Sequence, residues 1–219
     1  MKIIDLTSPI QENMWVYDSP IFAPRIEQIS SIDGPQHWEA HRITLTTLTG
    51  TYLEAPAHLI AGGETIDRVD PTRFIRPATV IQLPDCLPRY KIQRSDLEAS
   101  GAQPKKGDAV LVATGWDRNW FSPDYVHESP FFSSEAMDWL VNSGASIIGG
   151  DIPTFDDARN PAGVNYQLFE AGCLLLAPMI NLRQVTNWKE TTLIALPLPI
   201  RGVSATPCRA LAINQNICF

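Results

Sequence analysis

Short apolar runs broken by proline and glycine dominate the chain, and long helical stripes are scarce. Residues 3–6 read as a short strand stopped by Thr7-Ser8-Pro9. Residues 10–25 carry Pro20 and Pro24 with three aromatics, Trp15, Tyr17 and Phe22, and predict an irregular loop pinned by those rings. Residues 26–32 read as a strand ending at the turn Asp33-Gly34-Pro35, and the Thr-, Ile- and Leu-rich residues 43–48 read as another. The runs at 78–83, 108–113, 145–151, 173–176, 192–196 and 209–213 have strand length and core composition. Helices are expected near 71–75, over 95–99, from a cap at Ser133 or Ser134 to Gly144, and near 166–171. Strands interrupted by so few helices predict an α/β fold, a mixed sheet or half-barrel, in one domain spanning 1–219.

Composition narrows the function classes. A net charge of −7 argues against a nucleic-acid or anionic-membrane partner, both of which need clustered Lys and Arg. No run is long and apolar enough to span a bilayer, and Asp5 falls where a signal peptide would be apolar, so a cytoplasmic location is expected. Cys86, Cys173, Cys208 and Cys218 form no C-x-x-C pair and read as incidental thiols. Phosphate-binding glycine loops, H-E-x-x-H and G-x-S-x-G are missing from the sequence.

The chemistry concentrates in Gly50-Thr51-Tyr52-Leu53-Glu54-Ala55-Pro56-Ala57-His58. Residues two apart in extended chain face the same way. Leu48, Tyr52, Glu54 and His58 share one parity, so an extended path bent at Gly50 and Pro56 aims them into one space. A carboxylate, a phenol and an imidazole brought together at a strand end make an acid–base set.

This stretch resembles the signature of the cyclase/kynurenine formamidase family of metal-dependent hydrolases, H-x-G-T-H-x-D-x-P-x-H. Gly50, Thr51, Pro56 and His58 match it. Thr114-Gly115-Trp116, Gly149-Gly150-Asp151, Ala195-Leu196-Pro197-Leu198, and Gly202 with Pro207 and Arg209 extend the likeness over most of the chain. The resemblance implies the swivelling β/β/α-type fold and a small-molecule substrate, with a homodimer or homotetramer as the assembly. It also implies a two-metal site of four His, one Asp and one Glu. Here Leu48, Tyr52, Asn165 and Ala177 stand at four of those six positions, leaving Glu54 and His58. Catalytic zinc normally has about three protein ligands, so no metal and no other cofactor is expected. His37, His41 and His127 match no ligand position.

Without a metal to acidify water, hydrolysis of an unactivated amide is hard, whereas ring closure, lactone or ester opening, dehydration and isomerisation stay within reach. His58 is the expected base, Glu54 its orienting partner or the acid, and Tyr52 a donor to a developing oxyanion. Trp15, Phe22, Thr51, Trp116, Asp151, Asn165 and Arg209 are candidates for substrate binding. Arg209 reads equally as half of a structural ion pair, and Asp151, Asp156 and Asp157 also as solvated loop acids. Two other readings stand beside the metal-independent enzyme: a non-catalytic ligand-binding or assembly protein, and a metal-dependent hydrolase with an altered site.

Overall fold

The structure, a computed structural model, describes residues 1–215. Twelve strands and three α-helices are described, with short 3-10 turns between them. The strands that build the main sheet are β1 (Ile3–Asp5), β4 (Tyr52–Glu54), β5 (Ile75–Gln82), β7 (Ala109–Ala113), β9 (Ile147–Gly150), β10 (Leu174–Ala177), β11 (Thr192–Pro197) and β12 (Ala205–Ile213). Two separate pairs stand outside it: the antiparallel hairpin of β2 (Arg25–Ser30) with β3 (Ala40–Thr44), and the parallel pair of β6 (Lys91–Ile92) with β8 (Phe131–Phe132).

The main sheet runs β1-β12-β11-β5-β7-β9-β10-β4, and β4 pairs back onto β12. Seven strands therefore close into a barrel-like ring, with β1 added beside β12, within the expected α/β fold built on a mixed sheet. The β5–β7–β9–β10 section is parallel and the remainder antiparallel. β4 is the closing strand. Glu54 lies opposite Leu175 of β10 on one side and Ala205 of β12 on the other.

The two-residue period of the strands splits the apolar residues into two cores. Leu53, Leu111, Ile147, Leu174, Leu176, Leu193 and Ala210 fill the barrel. Tyr52, Val110, Val112, Ile148 and Leu175 point outward, under the helices. Gly149 belongs to the interior, where a Cβ would meet Leu111 Cδ2 and Met179 Cε at 2.8 Å.

The helices are α1 (Arg94–Ala99), α2 (Ser134–Asn142) and α3 (Val164–Glu170). Ser133 is the cap of α2, its hydroxyl accepting from Ala136 N at 3.1 Å, and Gly144 follows the helix at φ 78°. The short helix expected near 71–75 is a 3-10 helix at Pro71–Phe74. Two strand expectations need correction. The strand expected at 43–48 lies earlier, as β3, and the chain turns through 46–50, where Gly50 adopts φ 70°. β12 starts four residues before the expected 209, because Ala205–Pro207 pair with β4. Cys86, Cys173 and Cys208 are buried free thiols, and Cys218 lies outside the described residues.

Candidate active site

Tyr52 and Glu54 alternate with the barrel-filling Leu53, and so emerge on the outer face beside Leu175 and Ala177 of β10. The chain then turns through a 3-10 helix at Pro56–His58, which brings His58 back over Glu54. That turn is held from below by Gly63, where a Cβ would stand 2.8 Å from Ala57 N and Pro56 C. From the other side come Pro153 and Thr154, after β9, and Asn165 in the first turn of α3. The N-terminal loop supplies Tyr17 and Ile21.

These elements line an open cavity of about 170 Å³ formed by Tyr17, Ile21, Leu48, Tyr52, Glu54, His58, Pro153, Thr154, Asn165 and Leu175. Leu48, Tyr52, Glu54, His58 and Asn165 thus meet in one space. Ala177 packs in the adjacent core.

Glu54 is buried, and among the described residues no group hydrogen-bonds its carboxyl. Desolvation pushes its pKa up to about 8. His58 is pushed below its usual value by the same cause. His58 Nε2 lies 3.8 Å from Glu54 Oε1, and Nδ1 lies 3.5 Å from Ser204 Oγ. At that separation the two could attract as ions, but both would be desolvated and the carboxylate has no donor to support it. We therefore assign the neutral pair, carboxylic acid facing imidazole, near pH 7. Ser204 Oγ can accept a proton from Nδ1 or donate one to it, and Nε2 is the ring nitrogen that faces Glu54.

Three oxygens form a second cluster. Tyr17 Oη and Tyr52 Oη are 2.6 Å apart, Tyr17 Oη donates to the carbonyl of Pro153, and Tyr52 Oη reaches the same carbonyl at 3.2 Å. Burial holds both phenols well above the ordinary tyrosine pKa. Asn165 donates Nδ2 to Thr154 Oγ1 at 3.1 Å, while its Oδ1 is buried without a partner.

Several residues expected at the site lie elsewhere. Phe22 is 47% exposed at the base of the β2–β3 hairpin. Arg209 is at the surface, paired with Asp5. Thr51 Oγ1 donates to Pro178 O at 2.7 Å and is buried under the strand. Trp116 is a core residue whose Nε1 donates to Tyr125 O at 2.9 Å. Asp151 is fully buried and accepts from Thr114 N, Thr114 Oγ1 and Gly115 N, tying the turn after β7 to the end of β9. Trp15 does not line the cavity, but it backs Tyr17 at 5.2 Å, meets Trp120 edge-on and lies tilted against Tyr125. Asp157 pairs with Arg89. Asp156 accepts from Ala162, Gly163 and Val164 N at 2.7–2.8 Å and so anchors the start of α3.

Tyr17 is the lining residue that sequence reading took only for a loop anchor. A local signal did exist, since it is a phenol in a proline-bounded aromatic loop. Nothing in the sequence spacing connects that loop to Tyr52, 35 residues on.

The family's two-metal site does not fit these residues. The cavity offers one carboxyl, one imidazole, one amide bonded to one threonine hydroxyl, and two phenols already bonded to each other, while Leu48 and Leu175 offer no donor. Among the described residues no three His, Cys, Asp or Glu stand close enough to hold a metal ion together. His37, His41 and His127 do not line the cavity. His41 is 3.7 Å from Glu39 and His127 is 3.3 Å from Asp18, both at the surface.

A family model described as "Putative cyclase" matches residues 4–157. The kynurenine formamidase of Bacillus cytotoxicus is 26% identical over 214 residues, covering 95% of each chain. Isatin hydrolase A from Labrenzia aggregata superposes with a TM-score of 0.85 at 24% identity, over 96% of this chain and 93% of that one. A predicted metal-dependent hydrolase from Bacillus stearothermophilus superposes with a TM-score of 0.79 at 23% identity, over 98% of each chain. At such identities the two structural matches speak to the fold alone.

Proposed function

Because this chain belongs to the cyclase family, we propose that it is a metal-independent acid–base enzyme of that fold, acting on a small carbonyl compound. The observation that carries this reading is the buried Glu54 carboxyl with the half-buried His58 imidazole 3.8 Å away, both lining one cavity. Two groups whose environments drive their pKa values past each other provide an acid and a base at one pH. His58 Nε2 takes the proton, from water or from a carbon next to the carbonyl. The Glu54 carboxyl gives one to the oxygen on which charge develops. General acid–base catalysis of this kind is worth about 10² to 10⁴-fold, enough for ring closure, lactone or activated-ester opening, dehydration or isomerisation. The cavity suits a compact ligand, since about 150 Å³ accommodates a single aromatic ring.

The relatives suggest what to assay: isatin, a small aryl formamide such as formanilide, and a six-membered lactone. Activity on one of these is expected to survive dialysis against chelator and to fall at least about 100-fold in His58→Ala, a loss in the range for a general base. An equivalent of divalent metal retained through dialysis, with activity lost on its removal, would replace this reading by the altered-metal hydrolase. A second reading is favoured by the Tyr17–Tyr52 contact, which already occupies one wall of the cavity. In it the chain binds a small molecule without turning it over, and His58→Ala keeps full ligand affinity.

A further inference from the structure

The geometry points to Tyr17 as a positioning residue that makes Tyr52 a selective donor to an oxyanion in this cavity. The inference rests on the acid–base reading above but concerns a different pair of groups. Tyr17, Tyr52 and the Pro153 carbonyl make three oxygen–oxygen contacts, and the two hydroxyls bring two protons to them. In the resting arrangement Tyr52 donates to Tyr17, and Tyr17 donates to Pro153 O. Both protons are then used inside the cluster.

A ligand oxygen can take the Tyr52 proton only if the cluster rearranges. Were Tyr17 to keep donating to Pro153, two phenolic oxygens would face each other at 2.6 Å with no hydrogen between them. Tyr17 must instead turn its proton onto Tyr52 Oη, giving the chain Tyr17–OH to Tyr52–OH to ligand oxygen. That chain leaves the Pro153 carbonyl unsatisfied, a penalty comparable to the gain from one neutral hydrogen bond. A neutral carbonyl oxygen therefore gains little from Tyr52. An oxyanion gains much more, because hydrogen bonds to charged acceptors are about twice as strong and successive hydroxyls polarise one another. The pair thus discriminates in favour of the charge that develops in the transition state. Tyr52, at one of the family's ligand positions, shares the outer face of β4 with Glu54 and so serves the same cavity as the Glu54–His58 proton transfer.

The test needs no turnover. 4-Nitrophenol is a single-ring probe whose phenol and phenolate forms absorb at different wavelengths, so the state of the bound probe is read directly at neutral pH. In the intact protein it is expected to bind with the phenolate enriched relative to free solution. Tyr17→Phe should lower the bound phenolate-to-phenol ratio about tenfold, the change expected from about one hydrogen bond. Tyr52→Phe should lower it at least as much, and adding Tyr17→Phe to Tyr52→Phe should change it no further. Tyr17→3-fluorotyrosine, isosteric and a stronger donor, should raise the ratio, and it serves if Tyr17→Phe fails to fold. An unchanged ratio in the Tyr17 variants, an equal drop in both backgrounds, or no binding of the probe to the intact protein would overturn the inference. Lack of activity in the substrate assays would count against the enzyme reading and leave this measurement standing.

Discussion

A carboxyl buried without hydrogen-bond donors holds its proton late, and for Glu54 this has consequences for both stability and rate. Its pKa is about 8 in the folded chain against 4.5 for the free group. Between those values the folded state keeps a proton that the unfolded state has released, so stability falls as pH rises, by about 1.4 kcal/mol per pH unit. His58 has the opposite sign. Its lowered pKa makes the folded state release a proton first, so its contribution rises with pH up to 6.5 and is flat above that. From pH 6.5 to about 8 the Glu54 slope stands alone. Urea unfolding across this window should show declining stability in the native protein and a flat line in Glu54→Gln, whose amide cannot ionise. The same variant should lose activity at least about 100-fold, as expected for loss of a general acid. The rate profile should be a bell with its alkaline limb near pH 8, from Glu54, and its acid limb below 6.5, from His58. At this scale Tyr52 and Glu54 were legible together through strand parity, a local property of the chain, whereas Leu48 and His58 join them through the bends expected at Gly50 and Pro56. Asn165 entered only through the family resemblance. Phe22, Thr51, Trp116, Asp151 and Arg209 are residue types found equally in sites and in scaffolds. Which role each plays is decided by contacts far away in sequence, such as Asp5 for Arg209 and Pro178 for Thr51.

The elements that carry the site are short, and each is held by a small number of backbone contacts. The Pro56–His58 turn rests on the loop containing Gly63, where a Cβ would press on the backbone at Ala57 N, Pro56 C and Ile60 O. No flexible side chain is there to give way. Gly63→Ala is therefore expected to cost about 1–3 kcal/mol in urea unfolding, the range for overpacking, and to lower activity by tilting His58 off Glu54. The start of α3 is placed by Asp156, which accepts from three successive N–H groups and has an exposure of 7%. Asp156→Ala leaves those donors unpaired and should cost about 1–3 kcal/mol or more. It should also raise KM more than it lowers kcat, since it shifts Asn165 rather than the Glu54–His58 pair. Most strands were readable because buried runs of β-branched and apolar residues have few other uses. The β3 and β12 boundaries were not, since they are set by partners: β2 draws residues 40–44 into pairing, and β4 draws in Ala205–Pro207 despite the proline.

For the whole molecule, closure of the barrel through a three-residue strand could not be read from any segment alone, because it is the return of β12 onto β4 that turns a mixed sheet into a ring. The same view isolates the β2–β3 hairpin, which lies outside that ring. Most of its residues are exposed, and Ile29 and Ile43 show 51% and 58% of their surface, with Trp38 at 54% beside them. A two-stranded sheet is marginal in water without something packed against it, and the exposed Ile26, which lies opposite Ile43, adds to the apolar surface that such a contact would cover. The charges on the hairpin are mixed, with Arg42 paired to Glu27 at 3.0 Å and Arg25 and Glu39 nearby. We propose that this patch, carrying both signs of charge, pairs with itself across a two-fold axis, the commonest closed assembly. The expected partner is a second copy of this chain. Light scattering at micromolar concentration should give twice the 24.3 kDa chain mass, or four times it if a second surface joins. The double variant Ile29→Glu, Ile43→Glu should run as a monomer with its barrel intact by circular dichroism. The hairpin is continuous with the loop bearing Tyr17 and Ile21, so activity should fall in that monomer even though no cavity residue has changed. A monomeric native protein, or a variant that stays dimeric, would place the contact elsewhere.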